Sequence, residues 1–130
     1  MEKLSSDLDS SPHKGKTGLR RIWNALLYSV AGFKAAYHHE DAFRQESLLA
    51  LILIPAACFM PVGGVGKALM IAVVVLVLIV ELLNSAVEAT VDRISLENHR
   101  LAKRAKDIGS AAVFLSLVNV AVVWVLVLFG

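Results

Sequence analysis

Glu81, Asn84, Glu88 and Asp92 interrupt one face of a hydrophobic segment in this 130-residue chain. Steps of three, four and four residues stack such side chains on one side of an α-helix. Glu81 follows an unbroken apolar run from Ala68 to Val80. A charged group at membrane depth costs about 3 kcal/mol or more, so it faces a protein interior or a watery cavity. Two carboxylates can hold a magnesium ion, which favours oxygen ligands and bridges substrate phosphates. A buried carboxyl also suits general-base work. Downstream, Lys106 and nearby arginines can bind phosphate. The ingredients of phosphoryl transfer at a membrane surface are therefore present. Plainer roles stay open. Asp92 can pair with Arg93 or Arg100 at a solvated helix end, and Glu88 can lie near the interface. Asn84 can be a polar contact between helices.

These residues need elements to position them. The chain is 57% hydrophobic, above the 45–50% typical of soluble domains. The excess falls in three long runs, which points to membrane insertion of a single all-α domain. Ser47 to Gly66 carries no charge, with Pro55 expected to kink it and Pro61, Gly63 and Gly64 expected to end it. The second run starts at Ala68 and continues in helical pattern to Arg93, and the third extends from Ile108 to Phe129. A basic linker with Arg93, His99, Arg100, Lys103, Arg104 and Lys106 is expected between them.

Ahead of the runs, TGLRRIWNALLYSVAGFKAAY places Leu19, Ile22, Trp23, Leu26, Leu27, Val30 and Phe33 at helical spacing. Arg20, Arg21, Asn24 and Lys34 interrupt them, and Thr17 is a candidate N-cap. This pattern predicts an amphipathic helix lying in the membrane interface, with Trp23 as an anchor. Residues 1–16 are polar and lack the apolar core of a signal peptide, so a disordered tail is expected. Basic residues gather in the N-terminal segment and the second linker, while the turn near Gly63 holds only Lys67. By the positive-inside rule, both basic segments and the N-terminus are cytoplasmic.

Several function classes are excluded. A net charge of +2 without aromatic-basic alternation gives no footprint for nucleic acid. The lone cysteine, Cys58, cannot form an intrachain disulfide and is expected to pack as a small hydrophobe. Gly63-Gly64-Val65-Gly66-Lys67 lacks the spacing and following Ser/Thr of a phosphate-binding loop, and a tight turn is expected there. No protein-kinase motif set, Ser-His-Asp arrangement or zinc spacing occurs. The residues themselves lead as far as a membrane-embedded carboxylate site able to hold a metal.

Three segments carry a resemblance. EDAFRQE at Glu40–Glu46, ELLNSAVEATVDR at Glu81–Arg93 and RAKDIGSAAV at Arg104–Val113 together resemble the prokaryotic diacylglycerol kinase family, most closely its Gram-negative type. The resemblance runs from about Gly18 to the C-terminus. It implies a homotrimer of a three-span kinase domain over residues 17–130. The surface helix would cover about 17–37 and the spans about 42–62, 67–94 and 102–129. The family transfers the γ-phosphoryl group of ATP to the hydroxyl of diacylglycerol, giving phosphatidic acid. This implies Mg²⁺ as cofactor and ATP, diacylglycerol and membrane lipids as partners. It also implies a place in phospholipid metabolism and diacylglycerol recycling at the inner membrane.

Carried over by motif, Glu81 resembles the general base, and Glu40 and Glu88 resemble the magnesium ligands that also meet ATP. Asn84 would support the site, while position along the line, not the motif, makes Asp92 a support at the interface. Arg21, Tyr28, Glu97, Asn98, His99, Lys106 and Asp107 look like nucleotide contacts. Asn98 stands where relatives often carry an aromatic. Lipid contacts are implied for Arg21 and then along Ala25, Leu26, Leu27, Tyr28, Ser29 and Val30. They continue through Lys34, Ala35, Ala36 and Tyr37, and through Ala42, Phe43, Arg44, Gln45 and Glu46. Lys67, Glu81, Ser110 and Trp124 complete that surface. Tyr37 and Val30 stand where tryptophans are expected. Glu81 and Glu88 lie about 10 Å apart along the helix axis, which sets the base deeper than the metal, with Glu40 joining the line across a subunit boundary. Two other functions stay open: an undecaprenol kinase on the same fold, and a non-enzymatic channel or assembly factor whose acidic line serves ions or helix contacts.

Overall fold

The computed structural model describes residues 17–94 and 99–130, which form four α-helices and no strand. The expected tail at 1–16 and the nucleotide contacts at Glu97 and Asn98 lie outside the described residues, as do the side chains of Thr17 and His99. Helix α1 spans Thr17–His39, α2 Asp41–Phe59, α3 Gly64–Ile94 and α4 His99–Phe129. The described residues divide into two compact units, one ending at Ala35 and the other beginning at Ala36. Within α1, Leu19, Ile22, Trp23, Leu26, Leu27 and Phe33 are all exposed.

Three helices are long and apolar enough to cross a membrane: α2, α3 and α4 from Arg100 onward. Each of α3 and α4 has 31 residues, about 46 Å at the α-helical rise. That exceeds the roughly 30 Å of a hydrocarbon core. The surplus lies at the charged end of each helix. Arg93 ends α3, and Arg100, Lys103, Arg104 and Lys106 all belong to α4. The expected basic linker is therefore mostly helix. The apolar pattern did not reveal this, because the helix continues after its hydrophobic stretch stops.

The helices pack antiparallel in a constant register. On α3 and α4, Lys106 meets Asp92, Gly109 meets Asn84, Trp124 meets Met70 and Val127 meets Gly66. Small residues allow the closest approaches: a Cβ on Gly66 would come within 3.0 Å of Val127. The α2–α3 contact is antiparallel as well, with Ala50 and Leu53 facing Val74 and Val77 around a small apolar cavity. Helix α3 is the central element. It buries Met70, Val73, Val74 and Val77, and the same stripe continues into Glu81 and Asn84.

The connections differ in detail from expectation. Pro55 sits inside α2, which continues to Phe59. The α2–α3 turn closes through the N–H of Val62 donating to the Met60 carbonyl at 2.8 Å and Lys67 to Gly63 at 3.0 Å. No described glycine has positive φ, so this turn does not use glycine's special conformations, and Gly64 and Gly66 are helical. Cys58 is exposed rather than packed, because it lies on the outer face of the last turn of α2.

The Trp124 indole N–H donates to the Met70 carbonyl at 3.1 Å and ties the uncharged ends of α3 and α4 together. Replacing it by phenylalanine keeps the ring and removes the donor. Trp124→Phe is expected to destabilise the protein by about 1 kcal/mol in reversible detergent unfolding. An unchanged midpoint would show that this bond does not hold the helices.

Candidate functional site

Glu81 is 3% exposed and Asn84 9% exposed because both continue the packing stripe of α3. Sequence spacing gave their shared face; α2 and α4 supply the walls. From α2, the Glu46 carboxyl meets that of Glu81 within hydrogen-bonding range, while Glu46 Oε2 is buried without a donor. Glu88 and Glu40 lie near enough for their charges to act on Glu81. Four carboxylates, from the start of α2 and the middle of α3, therefore converge within one chain.

Glu40 is placed by a short break in the backbone. It is extended between α1 and α2, at φ −118° and ψ 110°. Arg44 fixes the corner. One guanidinium nitrogen donates to the Tyr37 carbonyl at 2.7 Å and the His38 carbonyl at 2.9 Å, and the other pairs with Asp41. These bonds satisfy carbonyls that the end of α1 leaves open. Arg44 is thus engaged by protein at this corner, with its side chain still partly exposed. Phe43 and Ala36 are buried, at 5% and 7% exposed. They pack inside the protein and are not lipid contacts in this structure.

From α4 come the cation and a close backbone. Lys106 Nζ pairs with Asp92 at 2.6 Å, and Lys103 pairs with Asp107 at 2.7 Å. Asp92 therefore takes Lys106 as its partner, and not Arg93 or Arg100. The register between α3 and α4 decides this, and a single helix pattern cannot show it. Asn84 lies against Gly109, where any Cβ would overlap its amide oxygen. The Asn84 amide nitrogen reaches Glu88 in a long contact of 3.5 Å, and its oxygen is buried without a donor.

Two implied lipid contacts fall away from this cluster. Lys67 begins α3, about 21 Å along the axis from Glu81, and Trp124 lies at the level of Met70. Lys67 is remote because it sits at the opposite end of the same helix, and Trp124 because the antiparallel register sets it beside Met70. Arg21, Tyr28, Ala25, Leu26, Leu27, Ser29, Val30, Lys34 and Ala35 lie on α1 in the first unit. Tyr37, Ala42, Gln45 and Ser110 are exposed on the second. Two features escaped the sequence. Glu46 meets Glu81, hinted at only by an acid opening an apolar run. Gly109 accommodates Asn84, hinted at only by a small residue beside the charged Lys106 and Asp107.

No three His, Cys, Asp or Glu side chains form a metal cage among the described residues. Magnesium does not require one: it is held by one or two carboxylates, with waters and substrate phosphates completing the shell. Glu40 and Glu88 are hard oxygen donors that both lie near Glu81, and Glu88 contacts Asn84, whose buried oxygen has no donor. That donor set fits magnesium in this mode.

Residues 27–128 match the model of the prokaryotic diacylglycerol kinase family. A Pseudomonas aeruginosa protein named diacylglycerol kinase is 58% identical over 123 residues, covering 95% of this chain and 100% of the relative. A diacylglycerol kinase of Haemophilus influenzae is 50% identical over 113 residues, covering 87% and 96%. One of Escherichia coli K12 is 46% identical over 114 residues, covering 88% and 93%.

The Gly109–Asn84 contact gives a direct test of the site's packing. Gly109→Ala is expected to cost about 1–3 kcal/mol, as overpacking does, in detergent unfolding. Asn84→Ala in the same chain should recover most of that cost. Strictly additive effects would show that the two residues do not meet.

Proposed function

The chain belongs to the prokaryotic diacylglycerol kinase family, and on that premise we propose that it transfers the γ-phosphoryl group of ATP to the hydroxyl of diacylglycerol. The observation that carries this is the gathering of Glu81, Glu46, Glu88 and Glu40, with Lys106 alongside, at the end of the apolar stretch of α3. Counting about 20 residues to cross the hydrocarbon from Gly64 brings the span to Leu83. Glu81 then lies at the edge of the hydrocarbon, with Glu88 and Asp92 in the interface. A lipid hydroxyl and a water-borne nucleotide can meet only at such a depth.

Each residue has a separate task. Glu81 accepts the proton of the lipid hydroxyl as that oxygen attacks phosphorus. Glu88 and Glu40 would hold Mg²⁺, which supplies charge neutralisation on the triphosphate when bound. Lys106 binds phosphate oxygens, and Asn84 steadies Glu88. Arg21, Tyr28, Asp107 and the Glu97–His99 segment contribute to nucleotide binding, and exposed residues of α1 and early α2 to lipid binding. The active form is a homotrimer in the inner membrane. The N-terminus is cytoplasmic, α1 lies along the interface, and the product enters phospholipid synthesis. All three relatives described above carry the name diacylglycerol kinase, which favours this acceptor over a polyprenol.

Purified protein supplied with MgATP is expected to phosphorylate diacylglycerol in mixed micelles. Preferential phosphorylation of undecaprenol in the parallel assay would overturn this acceptor. Glu81→Gln should lower turnover by at least about 100-fold, the typical reach of a general base, with the helical circular dichroism intact. Glu88→Ala should raise the Mg²⁺ needed for half-maximal activity, and an unchanged requirement would remove it as a ligand.

A further inference from the structure

Asp92 and Glu88 stand one helical turn apart on α3, and one ammonium serves both. Lys106 Nζ bonds Asp92 at 2.6 Å, while Glu88 acts on it only at longer range. Both partners of the bond are substantially exposed, with side-chain exposures of 43% for Lys106 and 63% for Asp92. Exposed pairs contribute little to stability, so this pairing does not explain itself as a fold-holding contact. Its consequence is positional. A lysine side chain is long and flexible, and without Asp92 the nearest carboxylate on its side of α3 is Glu88. An ammonium seated on Glu88 would occupy the oxygens proposed above for the metal.

We propose that Asp92 is a positioning residue that keeps the Lys106 ammonium off Glu88, leaving Glu88 free for a divalent cation while Lys106 stays within reach of phosphate. The inference rests on the kinase reading above and adds a task that the family resemblance does not give Asp92. It requires no new group: the same two helices and the same register supply the separation.

Binding of Mn²⁺ to the full-length protein in micelles, with a non-hydrolysable ATP analogue present, can be followed by electron paramagnetic resonance. Asp92→Asn is expected to weaken Mn²⁺ binding about 10-fold, the usual effect of losing an outer partner of a metal site. Asp92→Glu should stay near the parent value. In a Lys106→Met background, Asp92→Asn should cause no further weakening, because no ammonium remains to move onto Glu88. The kinetic counterpart is a raised Mg²⁺ requirement and KM for ATP with the KM for diacylglycerol unchanged. An unaltered Mn²⁺ affinity in Asp92→Asn would overturn the inference, as would a loss that persists in the Lys106→Met background. Absence of diacylglycerol phosphorylation by the unsubstituted protein is a different result, and it would instead remove the kinase reading.

Discussion

Carboxylates cannot be left bare in hydrocarbon, and this constraint organises the molecule around α3. The stripe that packs Met70, Val73, Val74 and Val77 into the protein runs on into Glu81 and Asn84. Burial of those two polar groups is therefore built into the same periodicity that holds the helix in place. The apolar part of the stripe supplies the packing energy, and the polar part is held by it. Chemistry is placed where the span ends, so the penalty of charge is limited to the border of the hydrocarbon.

Antiparallel register then completes the site. Helix α3 is tied to α4 at its uncharged end by Trp124 and Met70, and the same register brings Lys106 beside Asp92 at the charged end. Gly109, between these two contacts, and Gly66, just beyond Met70, permit close approach. Sliding α4 by one turn would separate Lys106 from Asp92 and put a side chain in place of Gly109 against Asn84. On the other flank, α2 brings Glu46 to Glu81, and the Arg44 clamp turns the chain at Glu40. Several modest contacts thus gather one cation and four carboxylates along the same end of the helix bundle.

The arrangement suits phosphoryl transfer because that reaction asks for position and charge balance more than for covalent chemistry. A carboxylate-rich site with one nearby ammonium carries excess negative charge, which the proposed divalent cation would balance. The buried oxygens of Asn84 and Glu46 that lack donors lie in the same region, where an arriving cation would find them.

Much of this was legible from the order of residues. The i, i+3, i+7, i+11 spacing of Glu81, Asn84, Glu88 and Asp92 is local and fixes a shared helix face. Three long apolar runs are equally local and fix an all-helical membrane chain. The motif segments gave the family. What the sequence could not settle was which faces meet. Pairing of Asp92 with Lys106 rather than Arg93 or Arg100 depends on the offset between two helices. So does the encounter of Gly109 with Asn84. Burial of Phe43 and Ala36 and the exposure of Cys58 depend on helix rotation. Helix periodicity determines a face from neighbours a few residues away; only packing between residues 14 to 61 positions apart decided what that face would touch.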